Sequence, residues 1–235
     1  MKINEHTVLS TPRILLVPYS SHHVPTYHTW MQDPLLQVAT ASEPLTLDEE
    51  YAMQSSWRTD ADKLTFIVCN PPLPLPQYVT ARQEDAPHDM IGDVNLFLTP
   101  DNGEVEEVGN EDESQALIGE IEIMIADKKQ QGRGLGREIL LVFMWYIMHS
   151  RDSVLEEYCA GNGNAKKRVH MKYLRVKIDK DNVRSVRLFQ NAGFNKVNEE
   201  PNYFGELELR WYFTDSTEQV DKKFSTTPIQ LEYRS

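Results

Sequence analysis

Nine consecutive residues concentrate the chemistry of this chain: Lys128-Lys129-Gln130-Gln131-Gly132-Arg133-Gly134-Leu135-Gly136. Three glycines within five residues let backbone N–H groups approach a ligand with no Cβ in the way. Lys128, Lys129, Arg133 and Arg137 surround them with positive charge. A helix starting near Leu135 adds the unpaired N–H groups of its first turn and the positive end of its macrodipole. Such a set binds an anion, most naturally a phosphate or pyrophosphate. The glycines alone describe a tight strand-to-helix turn equally well; the four cations and the leading Gln131 favour the anion site. Two common phosphate loops are excluded by spacing. No Lys-Ser/Thr follows glycines five apart, as a P-loop requires, and G-x-G-x-G is not the G-x-G-x-x-G of a dinucleotide fold.

A turn of this kind needs a strand before it and a helix after it. Residues 120–125 (EIEIMI) alternate with period two, which predicts a strand carrying Glu120 and Glu122 on one face. Ile139, Leu140, Phe143, Tyr146 and Ile147 recur at helical spacing and predict an amphipathic helix to His149. A second polar pair, Asn182 and Ser185, lies three residues apart, on one side of a helix predicted over 181–191. Taken alone, Asn-x-x-Ser at a helix start is a capping pattern, with Asp179 or Asp181 also available as N-cap. Gly193 suits a left-handed cap at its end.

Upstream, residues 14–18 read as a first strand and 22–31 as a short helix. Thr46 with Glu49 three residues on is a capping box for a helix to about Arg58. Residues 64–69, 90–98 and 116–125 are the second, third and fourth strands, and 172–178 the fifth. The proline run 71–76 cannot join a sheet interior and reads as a surface excursion, or as an SH3-type ligand. Residues 101–114 read as an acidic, solvated hairpin loop. Residues 158–170 read as a flexible insertion carrying the basic cluster Lys166-Lys167-Arg168. Residues 194–197 and 207–213 are the last strands, so 1–213 form the domain and 214–235 an aperiodic tail. A crossover helix between strands four and five makes that pair parallel. The fold class is α/β, one domain around a mixed sheet.

The 235 residues carry a formal net charge of -12, which argues against nucleic-acid binding and favours approach of a cationic substrate, such as a lysine or a protonated amino terminus. Cys69 and Cys159 lack metal-ligand neighbours and read as reduced thiols of an intracellular, cytoplasmic protein. His22 and His23 are adjacent and so point different ways on a helix, which argues against a metal site. The longest apolar run, residues 139–148, is about half a membrane span, and the first residues have no apolar signal core; no membrane partner is expected.

The order Gln131-x-x-Gly134-x-Gly136 resembles the acetyl-CoA signature of the GCN5-related N-acetyltransferases (GNAT), and Asn182-x-x-Ser185-x-x-Leu188-Phe189 resembles the second half of the same fold. Residues 23–31, 41–47, 56–63 and 120–126 resemble, more specifically, the N-acetyltransferase 9 group, named for tubulin N-acetylation. The likeness spans residues 1–213. It implies a GNAT-type sheet, mostly antiparallel, whose parallel fourth and fifth strands splay apart, and an enzyme that moves an acetyl group from acetyl-CoA to an amine without a metal. The acceptor implied is a protein or peptide amine, a lysine or an amino terminus such as that of tubulin. Two alternatives stay open: a CoA-binding scaffold without turnover, and a small-molecule amine acetyltransferase.

The resemblance also implies residue roles. Gln131, Gly132, Arg133, Gly134, Leu135, Gly136 and Arg137 would hold the pyrophosphate. Backbone groups of Met124, Ile125 and Ala126 would hold the pantetheine arm and polarise the thioester. Asn182, Ser185 and Phe189 would lie beside the cofactor. Glu120 would be the general base, with Glu122 as substitute. Many family members place a tyrosine where Phe189 stands, as acid toward the sulfur; phenylalanine cannot donate a proton, so either Ser185 or Tyr203 would serve or the thiolate would leave without help.

Overall fold

The alternation that predicts strands and the 3.6-residue spacing that predicts helices both materialise in the computed structural model, which describes residues 1–101, 114–163, 168–213 and 227–235. The strands are β1 (Thr7–Ser10), β2 (Leu15–Pro18), β3 (Lys63–Cys69), β4 (Tyr78–Thr80), β5 (Met90–Pro100), β6 (Gln115–Ile125), β7 (Val169–Asp179), β8 (Asn195–Lys196), β9 (Glu206–Tyr212) and β10 (Ile229–Arg234). The helices are α1 (Val24–Trp30), α2 (Pro34–Ala39), α3 (Leu47–Thr59), α4 (Leu135–His149), α5 (Arg151–Gly161) and α6 (Val183–Asn191). The strands form one sheet in the order β4-β10-β1-β2-β3-β5-β6-β7-β9-β8. Neighbours are antiparallel except β6–β7 and β10–β4.

The β6–β7 ladder decides where a site can exist. It runs from Gln115↔Val169 to Glu120↔Arg175 and stops there. Beyond that point β6 pairs only with β5, as far as Gly92↔Ile125, while β7 pairs with β9. The two parallel strands therefore part, as the resemblance implied. One face of the sheet is covered by α4, α5 and α6, whose Ile139, Phe143, Val154, Val186 and Phe189 join Leu96, Leu117 and Ile121 in the main core. The other face is covered by α1, with Val24 and Tyr27 against Val17, Ile67 and Met124, and by α3. The capping box at Thr46 and Glu49 opens α3 as predicted.

Three expectations are corrected, and some short elements are new. The tail after Asp215 is not aperiodic throughout: β10 inserts between β1 and β4, with buried Tyr233 anchoring it. Its Ile229, Leu231 and Tyr233 do alternate, but six residues give a weak signal. The insertion expected at 158–170 begins inside α5, where Val154 and Tyr158 are buried at i, i+4 spacing. The short elements β1 and α2 carry too few periodic residues to stand out. Asn182 rather than an aspartate caps α6, while Asp179 Oδ1 accepts from the Asp181 N–H (2.8 Å). Most of the expected acidic loop, together with Lys166 and Lys167, lies outside the described residues. Among the described residues, no helix is long and apolar enough to cross a membrane.

Candidate active site

The glycine turn leaves β6 and enters α4 with Gly132 at φ +73° and Gly134 at φ +79°, the latter as a left-handed N-cap. No side chain caps α4, so its first N–H groups face outward. A Cβ at Gly132 or Gly134 would meet nothing within 4 Å: these two glycines serve the backbone path, and the space before them is open. Gly136 serves packing instead. A Cβ there would lie 2.8 Å from Leu188 Cδ1 of α6. Gln131 ties the turn to the sheet by donating from Nε2 to the Ile125 carbonyl (2.7 Å).

The cations around the turn are differently engaged. Lys128 pairs with Asp33, the N-cap of α2, at 2.7 Å. Arg133 donates to Gln130 Oε1 (2.8 Å), and its carbonyl accepts from Arg13 (2.6 Å). Arg137 instead joins Arg184 and Arg187 around a groove of about 420 Å³ between the start of α4 and α6, with Gly134 and Leu188 among its lining residues. Arg184 and Arg187 were not singled out from sequence. Their i, i+3 spacing on the face that also carries Leu188 is the signal that could have found them.

The candidates on α6 and beyond it have different surroundings. Asn182 Oδ1 accepts the Ser185 N–H (3.1 Å), so the capping alternative describes this pair. Ser185 does not line the arginine groove. Phe189 is 4% exposed, edge-on to Phe194 at 5.1 Å between ring centroids, and belongs to the core. Tyr203, the other candidate proton donor, is 97% exposed in the β8–β9 connection, with its ring centroid 5.5 Å from that of Phe204.

At the end of β6, the Ala126 and Asp127 N–H groups both donate to the Ile91 carbonyl (2.8 and 3.0 Å), a bulge that ends the ladder. With Asp93 opposite Met124 and Gly92 opposite Ile125, strand alternation aims the Met124 and Ala126 backbone groups at β5. Those of Ile123 and Ile125 face the gap left by β7. Of the three residues expected to present backbone to an extended ligand, Ile125 is the one so oriented, with its carbonyl held by Gln131, and Ile123 joins it.

The two glutamates differ sharply. Glu120 Oε2 accepts from Arg175 Nε at 2.7 Å and lies 3.8 Å from Lys177 Nζ, pinned across the last rung of the parallel ladder. Glu122 has no ion-pair partner among the described residues. Its side chain is exposed by surface area, though neighbouring protein desolvates the carboxyl. Loss of hydration there, then repulsion from Glu120 and Asp93, raises its carboxyl to about 7, against a smaller opposing pull from Lys177. A carboxylate that titrates near neutrality can take a proton at physiological pH.

The adjacent histidines converge after all. They sit on a three-residue 3₁₀ turn (Ser21–His23), and both Nε2 atoms lie 3.0 Å from Asp85 Oδ2. The Ser20 N–H donates to His23 Nδ1 (3.0 Å), so Nε2 of the neutral ring carries the proton and donates to Asp85. Tyr233 of β10 donates to the same oxygen at 2.6 Å. The cluster is a hydrogen-bonded clamp on the last strand, and its two imidazoles and one carboxylate, against the expectation from their adjacency, converge closely enough to hold a metal ion.

The fold agrees with that of known proteins. The family described as Acetyltransferase (GNAT) domain matches residues 13–195. The chain belongs to the GNAT acetyltransferases. It is 39% identical over 224 residues to an N-acetyltransferase 9-like protein of Schizosaccharomyces pombe, covering 89% of this chain and 97% of that one. It is 38% identical over 220 residues to the alpha/beta-tubulin-N-acetyltransferase 9 of Homo sapiens, covering 93% and 89%. Among solved structures, a GNAT acetyltransferase from Bacillus anthracis superposes with TM-score 0.55 at 9% identity, over 87% of this chain and 98% of that one. An aminoglycoside acetyltransferase in complex with coenzyme A superposes with TM-score 0.52 at 13% identity, over 91% and 99%. As a GNAT member the chain is an N-acetyltransferase.

Proposed function

We propose that this GNAT enzyme transfers the acetyl group of acetyl-CoA to a protein amine, with Glu122 as the general base. The observation that carries the reading is Glu122 itself, beside the point where β6 and β7 part, with its carboxyl raised to about 7. Glu120, the first candidate from sequence, is held by Arg175 and is assigned to positioning. The outward N–H groups at the start of α4, with Arg137, Arg184 and Arg187, suit the phosphates of the co-substrate. The Ile123 and Ile125 backbone groups suit its amide-bearing arm. Acetyl-CoA supplies an acyl group activated as a thioester. Glu122 takes a proton from the incoming ammonium so that a lone pair is available for attack.

A protein acceptor is supported by the names of the relatives, three of which are called alpha/beta-tubulin-N-acetyltransferase 9. The net charge of -12 suits a cationic amine. The amino terminus of tubulin is the acceptor we infer first. The test is acetyl-CoA calorimetry followed by CoA release with tubulin amino-terminal peptides, unrelated amino-terminal peptides and internal-lysine peptides. Turnover with the tubulin peptides, abolished in Glu122→Gln but with acetyl-CoA binding retained, is expected. Turnover confined to lysine peptides would overturn the acceptor, and full activity of Glu122→Gln would overturn the base.

A further inference from the structure

Behind Glu122, on the α1/α3 side of the sheet, lies a cluster of buried polar groups that the reaction as drawn does not use. Asn95 and Asp93 of β5 stand opposite Glu122 and Met124 of β6, so Asp93, Asn95 and Glu122 share one face. Asp93 is 1% exposed, Asn95 4% and Glu50 of α3 1%. Asp93 Oδ2 accepts from Asn95 Nδ2 (2.9 Å) and from the Tyr27 hydroxyl (3.2 Å). Its other oxygen, Oδ1, is fully enclosed and has no hydrogen-bond partner among the described residues. The same holds for Asn95 Oδ1, Thr65 Oγ1, the Tyr19 hydroxyl and Glu50 Oε2. Thr65 stands opposite Asn95 in the sheet, and the Tyr19 and Tyr27 rings lie 5.4 Å apart, so these atoms belong to one cluster. His28 closes the path outward: its Nδ1 is 3.8 Å from Glu50 Oε1, and its ring is 24% exposed.

Enclosed polar atoms without protein partners are costly, and several of them around one site is the arrangement that ordered water satisfies. Full enclosure leaves no path for an ammonium group to enter. Proton transfer needs only water. We propose that Asp93, with Tyr27 and Glu50, relays the acceptor's proton from Glu122 through enclosed water to His28 at the surface. The inference rests on Glu122 being the base.

The proton balance leaves one proton to export. An ammonium acceptor loses two protons in becoming an amide. One is matched at the sulfur as the nitrogen–carbon bond forms and the carbon–sulfur bond breaks; the other must reach solvent. Glu122 takes that proton, water passes it to Asp93, and the Glu50–His28 pair releases it, each group returning to its starting form. The groups facing Asp93 are Tyr19, Tyr27 of α1, Glu50 of α3, Thr65 of β3, Asn95 of β5 and Glu122 of β6, with no cation among them. Burial raises Asp93 to about 6, against the hydrogen bonds from Asn95 and Tyr27. It also raises Tyr19, Tyr27 and Glu50, so both tyrosines stay neutral and Glu50 holds its proton more tightly than a free carboxyl.

The test combines turnover with a titration that needs no acceptor. In Asp93→Asn, acetyl-CoA affinity, acceptor KM and Tm are expected to hold while kcat falls roughly tenfold to a hundredfold, less than the loss on removing the base. The acid limb of its pH–rate profile should move to lower pH, because a like charge has left the neighbourhood of Glu122. Infrared difference titration of the wild type should show a buried carboxyl C=O band, absent in Asp93→Asn, whose midpoint moves in Glu122→Gln. Tyr27→Phe and Glu50→Gln are parallel variants should Asp93→Asn fold poorly, each expected to lower kcat without changing KM. An Asp93→Asn enzyme with wild-type kcat and pH profile, or no such band, would overturn the relay. If Glu122→Gln is inactive in that same experiment, the base assignment survives the relay's failure; if Glu122→Gln is active, both fall.

Discussion

Replacing Glu122 by glutamine should make the protein more stable above neutrality while disabling it. The carboxyl stands at about 7 in the fold against an ordinary value of 4.5. The folded state therefore holds its proton where the unfolded chain has already released it, and stability contributed at this site falls as pH rises from 4.5 to 7. At about 1.4 kcal/mol per pH unit the full effect is at most roughly 3 kcal/mol. Glu122 reaches solvent, so screening removes half or more of that and leaves about 1 kcal/mol. Urea denaturation at pH 4 and pH 8 checks it. The glutamine variant should match the wild type at pH 4 and exceed it by about 1 kcal/mol at pH 8. Its acetyl transfer should fall by roughly 10²–10⁴ at every pH, and the wild-type profile should show an acid limb centred near 7. A variant equally stable at both pH values, or less stable at pH 8, would refute the claim that Glu122 is held protonated by its surroundings.

Arg184→Glu with Arg187→Glu should weaken acetyl-CoA binding roughly tenfold to a hundredfold, with a shallower salt dependence, because two of the three groove arginines change sign; calorimetry at two ionic strengths reads this. Gly136→Val should push Leu188, only 2.8 Å from the new Cβ, and displace α6 with it, lowering acetyl-CoA affinity; Leu188→Ala in the same chain should restore part of the loss. Asp85 accepts from His22, His23 and Tyr233, and these bonds hold its carboxyl well below the usual range despite burial. Its contribution is present above the unfolded carboxylate range and lost as pH falls below it, so Asp85→Asn should destabilise at pH 7 by about 2 kcal/mol and flatten the acid side of the stability profile, measured by Tm against pH.

Much of this was legible in the chain because local rules and global fold agree. Alternation in 120–125 and helical spacing from Ile139 to Ile147 could be satisfied only by a strand and an amphipathic helix, and the glycines between them by a turn that leaves N–H groups uncovered. The capping box at Thr46 needed no distant partner. What only the tertiary structure decided depended on residues remote in sequence. Glu120 and Glu122 are equivalent by periodicity, yet Arg175, fifty-five residues away, claims one and leaves the other. Gly134 and Gly136 look alike in the motif, yet Leu188 stands against only the second. Asn182 could face a ligand or cap its own helix, and backbone geometry chose the cap. Asp93 and Asn95 alternate along their strand as solvent-facing residues would, and the burial of Asp93 beside Tyr27 and Glu50 exists only because α1 and α3 close over that face. Periodicity reports which side of an element is buried; charge, proton affinity and role follow from what is brought within a few ångströms, and that is set by the fold.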